Sequence, residues 1–255
     1  YLKTANGQAP AVNSVEASRH DNGVKVESSA NLLIKNIKIQ HQQKNGVYIY
    51  GAQTSNLGIN NCVFENIYLY AITGANKDQV NISNNRFNDI WNSAIYPGGI
   101  TNLTISSNIF KRIGIAAPGR ATDDVISYKC INMNHSSGTV SNNILDSIGN
   151  NGIEYYQNTL VEKNRISRFC MTTDDGAGIV SHGTWNGIRN GTGCIVRYNI
   201  VSEPVGNSES YPFRPEPFVN GIGMDDNSGN AVIENNTVFN ITGRGISIHN
   251  SSANQ

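Results

Sequence analysis

ISNNRF (residues 82–87) and ISSNIF (105–110) are two copies of one six-residue box. Its pattern is apolar, two variable positions, asparagine, one variable position, apolar. Working outward, the box recurs as IKNIKI (34–39), INNCVF (59–64), VSNNIL (140–145), VEKNRI (161–166), VRYNIV (196–201) and IENNTV (233–238). The fourth position holds Ile37, Cys62, Asn85, Asn108, Asn143, Asn164, Asn199 and Asn236. Ile and Cys at this position mark it as buried. A buried amide needs hydrogen-bond partners. Stacked copies of one asparagine can supply them to each other. The expectation is one continuous parallel sheet built from the eight boxes, with the six asparagines stacked inward.

A second element precedes each box: a small residue, then an apolar marker opening a short strand. The markers are Val24, Val47, Ile72, Ile95, Ile131, Ile153, Ile179, Ile222 and Ile246. Side chains alternate along a strand, so the residues two further on also point inward. A repeat of one strand and one box is too short for a pair of helices or a four-stranded propeller blade. The leucine pattern of a leucine-rich repeat is absent. The period fits the coil of a parallel β-solenoid, right-handed because parallel crossovers almost always are. The reading is therefore all-β: about eight complete coils and a partial ninth, in a single domain over residues 1–255. Ile246 is followed by nine residues and no box, so the chain is expected to be a fragment of a longer solenoid.

Through its boxes and strand openings the chain resembles the pectate-lyase-like superfamily of right-handed parallel β-helices. The segments TTDDGAGI (172–179) and GIGMDDNSGN (221–230) are similar to those of secreted bacterial β-helix proteins of polysaccharide breakdown. The resemblance implies the fold and a secreted or cell-surface location. It leaves the reaction open, because one fold hosts many chemistries. The Asp-Asp pair and Ser-His-Gly also echo polygalacturonases, but the spacing is too short and His182 follows serine, so those residue roles are not carried over.

The period breaks where a site is expected. The gap from box to next marker is eight residues at five places, but 21 at 110→131, 13 at 166→179 and 21 at 201→222. From marker to box it is longest, 17, at 179→196. Insertions in a solenoid become loops, here walls near 114–125, 170–177, 183–193 and 203–220. The outward positions between these walls are Asn132, Asn134, Glu154, Tyr156, His182 and Asp225. Glu154, His182 and Asp225 are the expected reactive floor, helped by Tyr156 and by Asp174 or Asp175 from a wall. Glu154 and Asp225 lie two coils apart, roughly 9.6 Å along the axis. Leaning side chains would bring their carboxyl groups to the spacing of an inverting glycoside hydrolase. Asn132, Asn134, Trp185, Arg189, Arg214 and Tyr96 are the expected sugar contacts.

Composition narrows the partners. Nineteen basic residues balance nineteen acidic ones, which gives no support for a nucleic-acid partner, and no apolar run approaches a membrane span. Cys62, Cys130, Cys170 and Cys194 show neither metal spacing nor a disulfide framework and read as buried small side chains. No cofactor is required, with calcium on Asp174, Asp175 and Asp225 as the alternative. The partner is a polysaccharide or oligosaccharide. Three classes compete: a polysaccharide-cleaving hydrolase or a lyase acting on a uronate polymer; a carbohydrate-binding adhesin; and a structural spike. The coincidence of insertions with titratable groups favours the enzyme, and a hydrolase first. Oligomeric state is not legible.

Overall fold

The computed structural model describes residues 20–51, 54–115, 128–133, 135–183, 191–207 and 217–251. These contain 25 strands and no helix. All strand pairing is parallel and falls into three sheets, one of nine strands and two of eight. Each coil contributes one strand to each sheet in turn. The first coil runs Asn22–Glu27, Ala30–Lys35, Lys38–Gln40, and the pattern repeats to Val219–Asp225, Ala231–Glu234, Thr237–Phe239. Arg244–Ile248 adds the ninth strand to the first sheet.

The apolar markers set the register of the nine-stranded sheet. Val24 pairs with Val47, Val47 with Ile72, Ile72 with Ile95, Ile95 with Ile131, and Ile131 with Ile153. Ile153 pairs with Ile179, Ile179 with Ile222, and Ile222 with Ile246. A one-residue slip would turn this buried row outward. The residues two positions on (Val26, Ile49, Met133, Tyr155, Ser181, Met224) are buried as well.

The boxes correct one expectation. They do not form one sheet; each straddles the corner between the two eight-stranded sheets. Ile82 lies in Asp78–Ser83, and Phe87 lies in Arg86–Ile90. The corner is the third box residue, which has positive φ in every copy: Asn36, Asn61, Asn84, Ser107, Asn142, Lys163, Tyr198 and Asn235. Asparagine tolerates this left-handed conformation better than other side chains with a Cβ, which is why it fills five of the eight positions. One residue later the fourth-position asparagines point inward as expected, Asn85, Asn108, Asn143, Asn164 and Asn199 being at most 1% exposed.

These asparagines form a continuous ladder. Asn108 Nδ2 donates to Asn143 Oδ1 at 3.0 Å and to the Ile82 carbonyl at 2.9 Å, and its backbone N–H donates to the same Asn143 oxygen at 3.0 Å. The pattern repeats from Asn85 through Asn199 to Asn236. Beside the ladder, Phe64, Phe87 and Phe110 stack with ring centroids 4.9 and 4.6 Å apart. The four cysteines are free and buried. No helix among the described residues is long and apolar enough to cross a membrane.

Candidate functional site

The outer face of the nine-stranded sheet carries two clusters of titratable side chains. The first centres on Glu154, on the short strand Ile153–Glu154. Its column position faces away from the core, yet the residue is only 2% exposed. Lys129 Nζ lies 2.5 Å from Glu154 Oε2, both side chains being buried. The Tyr156 hydroxyl donates to Glu154 Oε1 at 3.0 Å, and Asn151 Nδ2 reaches Oε2 at 3.4 Å. Burial pushes the Glu154 carboxyl up, but the charges of Lys129 and His182 and the hydrogen bonds from Lys129 and Tyr156 outweigh it and hold it below its usual value. The Tyr156 hydroxyl is pushed well up, by burial first and then by the neighbouring Glu154 carboxylate. Glu154 is thus a locked carboxylate and Tyr156 a firmly protonated phenol.

The second cluster is a column across three successive coils. His182 ends Gly176–His182, and its backbone registers with Asp225 at the end of Val219–Asp225. His249 follows the next strand, Arg244–Ile248. His182 Nδ1 is 3.8 Å from Asp225 Oδ2, and His249 Nδ1 is 2.7 Å from Asp225 Oδ1. The Asp226 backbone N–H also donates to Asp225 Oδ1, at 3.0 Å. Asp226 Oδ1 lies 3.8 Å from His249 Nδ1. His182 and Asp225 keep 40% and 33% of their side-chain surface exposed, so water and a ligand can reach both.

This column lines an open depression of about 710 Å³ whose floor includes Val180 and Gly223 and whose far side carries Asp175, Phe218 and Arg244. The Arg244 guanidinium sits over the Phe218 ring, 4.8 Å from its centroid, a favourable cation–π geometry. Asp175 precedes Gly176 and Asp225 pairs with His182, so the two aspartates stand at opposite ends of paired strands. Seven residues of strand separate them, roughly 23 Å. Asp174 is buried, at 2% exposure.

The remaining expected residues are distributed as follows. Asn132 pairs in register with Glu154 and is buried, at 4% exposure. Tyr96 lies further along the same face, stacked on Tyr70 at 4.9 Å, and lines a second depression of about 640 Å³ with Tyr48 and Tyr50. Asn134, Trp185, Arg189 and Arg214 lie outside the described residues, as do most of the expected walls near 114–125 and 183–193 and half of the one near 203–220. Sequence reasoning missed Lys129, Arg244 and the part played by His249. Lys129 stands two residues before its marker, in the row where Asn45, Ser93, Asn151 and Ala177 are buried; a lysine there signals a buried cation in need of a carboxylate. His249 stands three residues after the marker Ile246, in the outward column of His182 and Asp225, beyond the last insertion.

Comparison with known proteins agrees with this architecture. The chain belongs to the family described as right handed beta helix region, which matches residues 3–166. That fixes the hand of the solenoid. No curated protein matches the sequence. Among solved structures it is similar to DFA-IIIase from Arthrobacter chlorophenolicus A6 in complex with GF2, at 13% identity and a TM-score of 0.56, over 85% of this chain and 53% of that one. The same enzyme without its lid gives 13% identity and a TM-score of 0.51, over 93% and 50%. The Streptococcus pneumoniae surface protein and adhesin PfbA gives 12% identity and a TM-score of 0.44, over 89% and 83%. Likeness to DFA-IIIase at 13% identity establishes the fold alone, and the chain spans about half the length of the DFA-IIIase chain.

Proposed function

We propose that the protein is a secreted or cell-surface carbohydrate-active enzyme that hydrolyses a polysaccharide in the depression over His182, Asp225 and His249. The observation that carries this reading is the three-coil column itself: an accessible carboxylate flanked by two imidazoles, inside a depression wide enough for sugar rings. Asp225, oriented by His249 and by the Asp226 N–H, takes the proton from the attacking water. His182, beside the other Asp225 oxygen, gives a proton to the leaving glycosidic oxygen. One glycosidic bond and one water become two hydroxyl groups. Glu154 acts through its neighbours rather than as the acid, because Lys129 keeps it ionised and buried; it positions Tyr156 and balances the charge on His182.

The charge of the depression favours hydrolysis of a neutral glycan over elimination on a uronate. Among the described residues, Asp175, Asp225 and Asp226 line it against the guanidinium of Arg244, and like charges repel an anionic chain. The shared fold with DFA-IIIase, which has been solved in complex with GF2, is in keeping with a sugar ligand. The test is incubation of the wild type and of Asp225→Asn and His182→Ala with a panel of neutral and uronate glycans. The proposal expects saturated new reducing ends from a neutral glycan and a loss of about 10²-fold or more in each variant, the scale of a single acid or base. Ultraviolet-absorbing unsaturated products, or unchanged rates in both variants, would overturn it.

A further inference from the structure

We infer that Asp225, Asp226 and His249 form a binding site for a divalent transition-metal ion of the zinc type. One ligand atom from each of the three residues lies within 4.8 Å of the other two. Around a tetrahedral zinc ion with bonds of about 2.0–2.2 Å, neighbouring donor atoms stand roughly 3.4 Å apart. The separations here bracket that value: 2.7 Å from His249 Nδ1 to Asp225 Oδ1 and 3.8 Å from His249 Nδ1 to Asp226 Oδ1. His182 Nδ1 approaches the second Asp225 oxygen at 3.8 Å. The required shifts are therefore about half an ångström. His249 is free to make them, its side chain being 64% exposed.

The fold explains why the donors converge. Asp225 lies between two histidines because consecutive coils stack in register, which sets the column at the inter-strand spacing of about 4.8 Å. Asp226 turns back toward His249 because Asp226 and Asn227 both take positive φ, 35° and 61°. The donor chemistry selects the ion. Two carboxylates and one imidazole suit zinc, cobalt or nickel. Calcium, which takes six to eight oxygen ligands, would leave the imidazole nitrogens without use. The exposure of all three residues leaves a coordination position open to water. This inference stands on the cluster geometry and does not depend on the hydrolytic reading. It carries one consequence for it: a bound ion draws charge from the Asp225 carboxylate and weakens it as a base.

The experiment is a titration of the purified chain with Co²⁺, followed by visible absorption, and with Zn²⁺, followed by calorimetry. The chain has five histidines, so His41→Ala serves as the control for adventitious surface binding. The expected result is one ion per chain, with the absorption bands of a low-coordinate cobalt ion. Affinity should fall at least about tenfold in His249→Ala and in Asp226→Asn, with circular dichroism unchanged, and hold in His41→Ala. Absence of saturable binding, or equal affinity in His249→Ala and the wild type, would overturn the assignment whatever the protein does to glycans.

Discussion

Replacing Asn143 by alanine removes one rung from the middle of the asparagine ladder, and the structure sets the size of the effect. Asn143 Nδ2 donates to the Ile105 carbonyl and to Asn164 Oδ1, each at 2.9 Å. Asn143 Oδ1 accepts both the backbone N–H and the side-chain amide of Asn108, at 3.0 Å. The substitution loses these four bonds. Asn164 Oδ1 keeps the Asn143 backbone N–H at 3.0 Å and Asn108 Nδ2 keeps the Ile82 carbonyl at 2.9 Å, but the Asn108 backbone N–H and one Nδ2 hydrogen are left buried with no acceptor. Each stranded group costs about 1–3 kcal/mol, and the lost side-chain volume adds to that. The expected destabilisation is about 4 kcal/mol, a large share of the roughly 5–15 kcal/mol that holds a domain folded. Equilibrium urea unfolding followed by far-ultraviolet circular dichroism measures it as a fall in the midpoint. A loss below about 1 kcal/mol would refute the view that the ladder is an obligatory hydrogen-bond chain.

Other outcomes follow from the same physics. Lys129→Met leaves the Glu154 carboxylate buried and uncompensated, so it should cost about 3–5 kcal/mol in a denaturant titration, while Lys129→Met with Glu154→Gln recovers most of the loss. Because the folded Glu154 carboxyl is held below the usual value of 4.5, its ionisation stabilises the protein above that pH. The contribution disappears as pH falls through the lower folded value, and Glu154→Gln should flatten the acid limb of stability against pH. Tyr198 occupies the left-handed corner at φ 56°, so Tyr198→Asn should stabilise by about 1 kcal/mol, read as a rise in melting temperature. Tyr96→Ala should weaken binding of a polymeric substrate severalfold, from a stacking contribution of about 0.5–1.5 kcal/mol, measurable by affinity electrophoresis.

Much of the solenoid was legible because its signals repeat. The markers from Val24 to Ile246 predicted the pairing of the nine-stranded sheet residue by residue, since a buried row has to recur at the coil length. The asparagine positions were legible for the same reason. The corner inside each box was not read, although Asn36, Asn61, Asn84, Asn142 and Asn235 announced it; Ser107, Lys163 and Tyr198 dilute that signal, and a left-handed residue is invisible to a search for apolar period. The site was legible in part. His182 and Asp225 fell into adjacent registered strands because the outward column can be counted. Glu154 was placed in the right column but with the wrong surroundings: column parity gives direction, not exposure, and the lysine that caps it comes from the end of an insertion whose path has no period. His249 stands in the same outward column, three residues after Ile246, but no insertion flanks it to mark it.

The central claim is that Asp225 and His182 act on a glycosidic bond. The most direct measurement is the rate at which the wild type and Asp225→Asn release reducing ends from the neutral glycan that the wild type cleaves, with folding of both checked by circular dichroism. The account predicts saturated products from the wild type and a loss of about 10²-fold or more in Asp225→Asn. Equal rates in the two proteins would contradict it, as would a wild type that binds glycans from the panel and cleaves none.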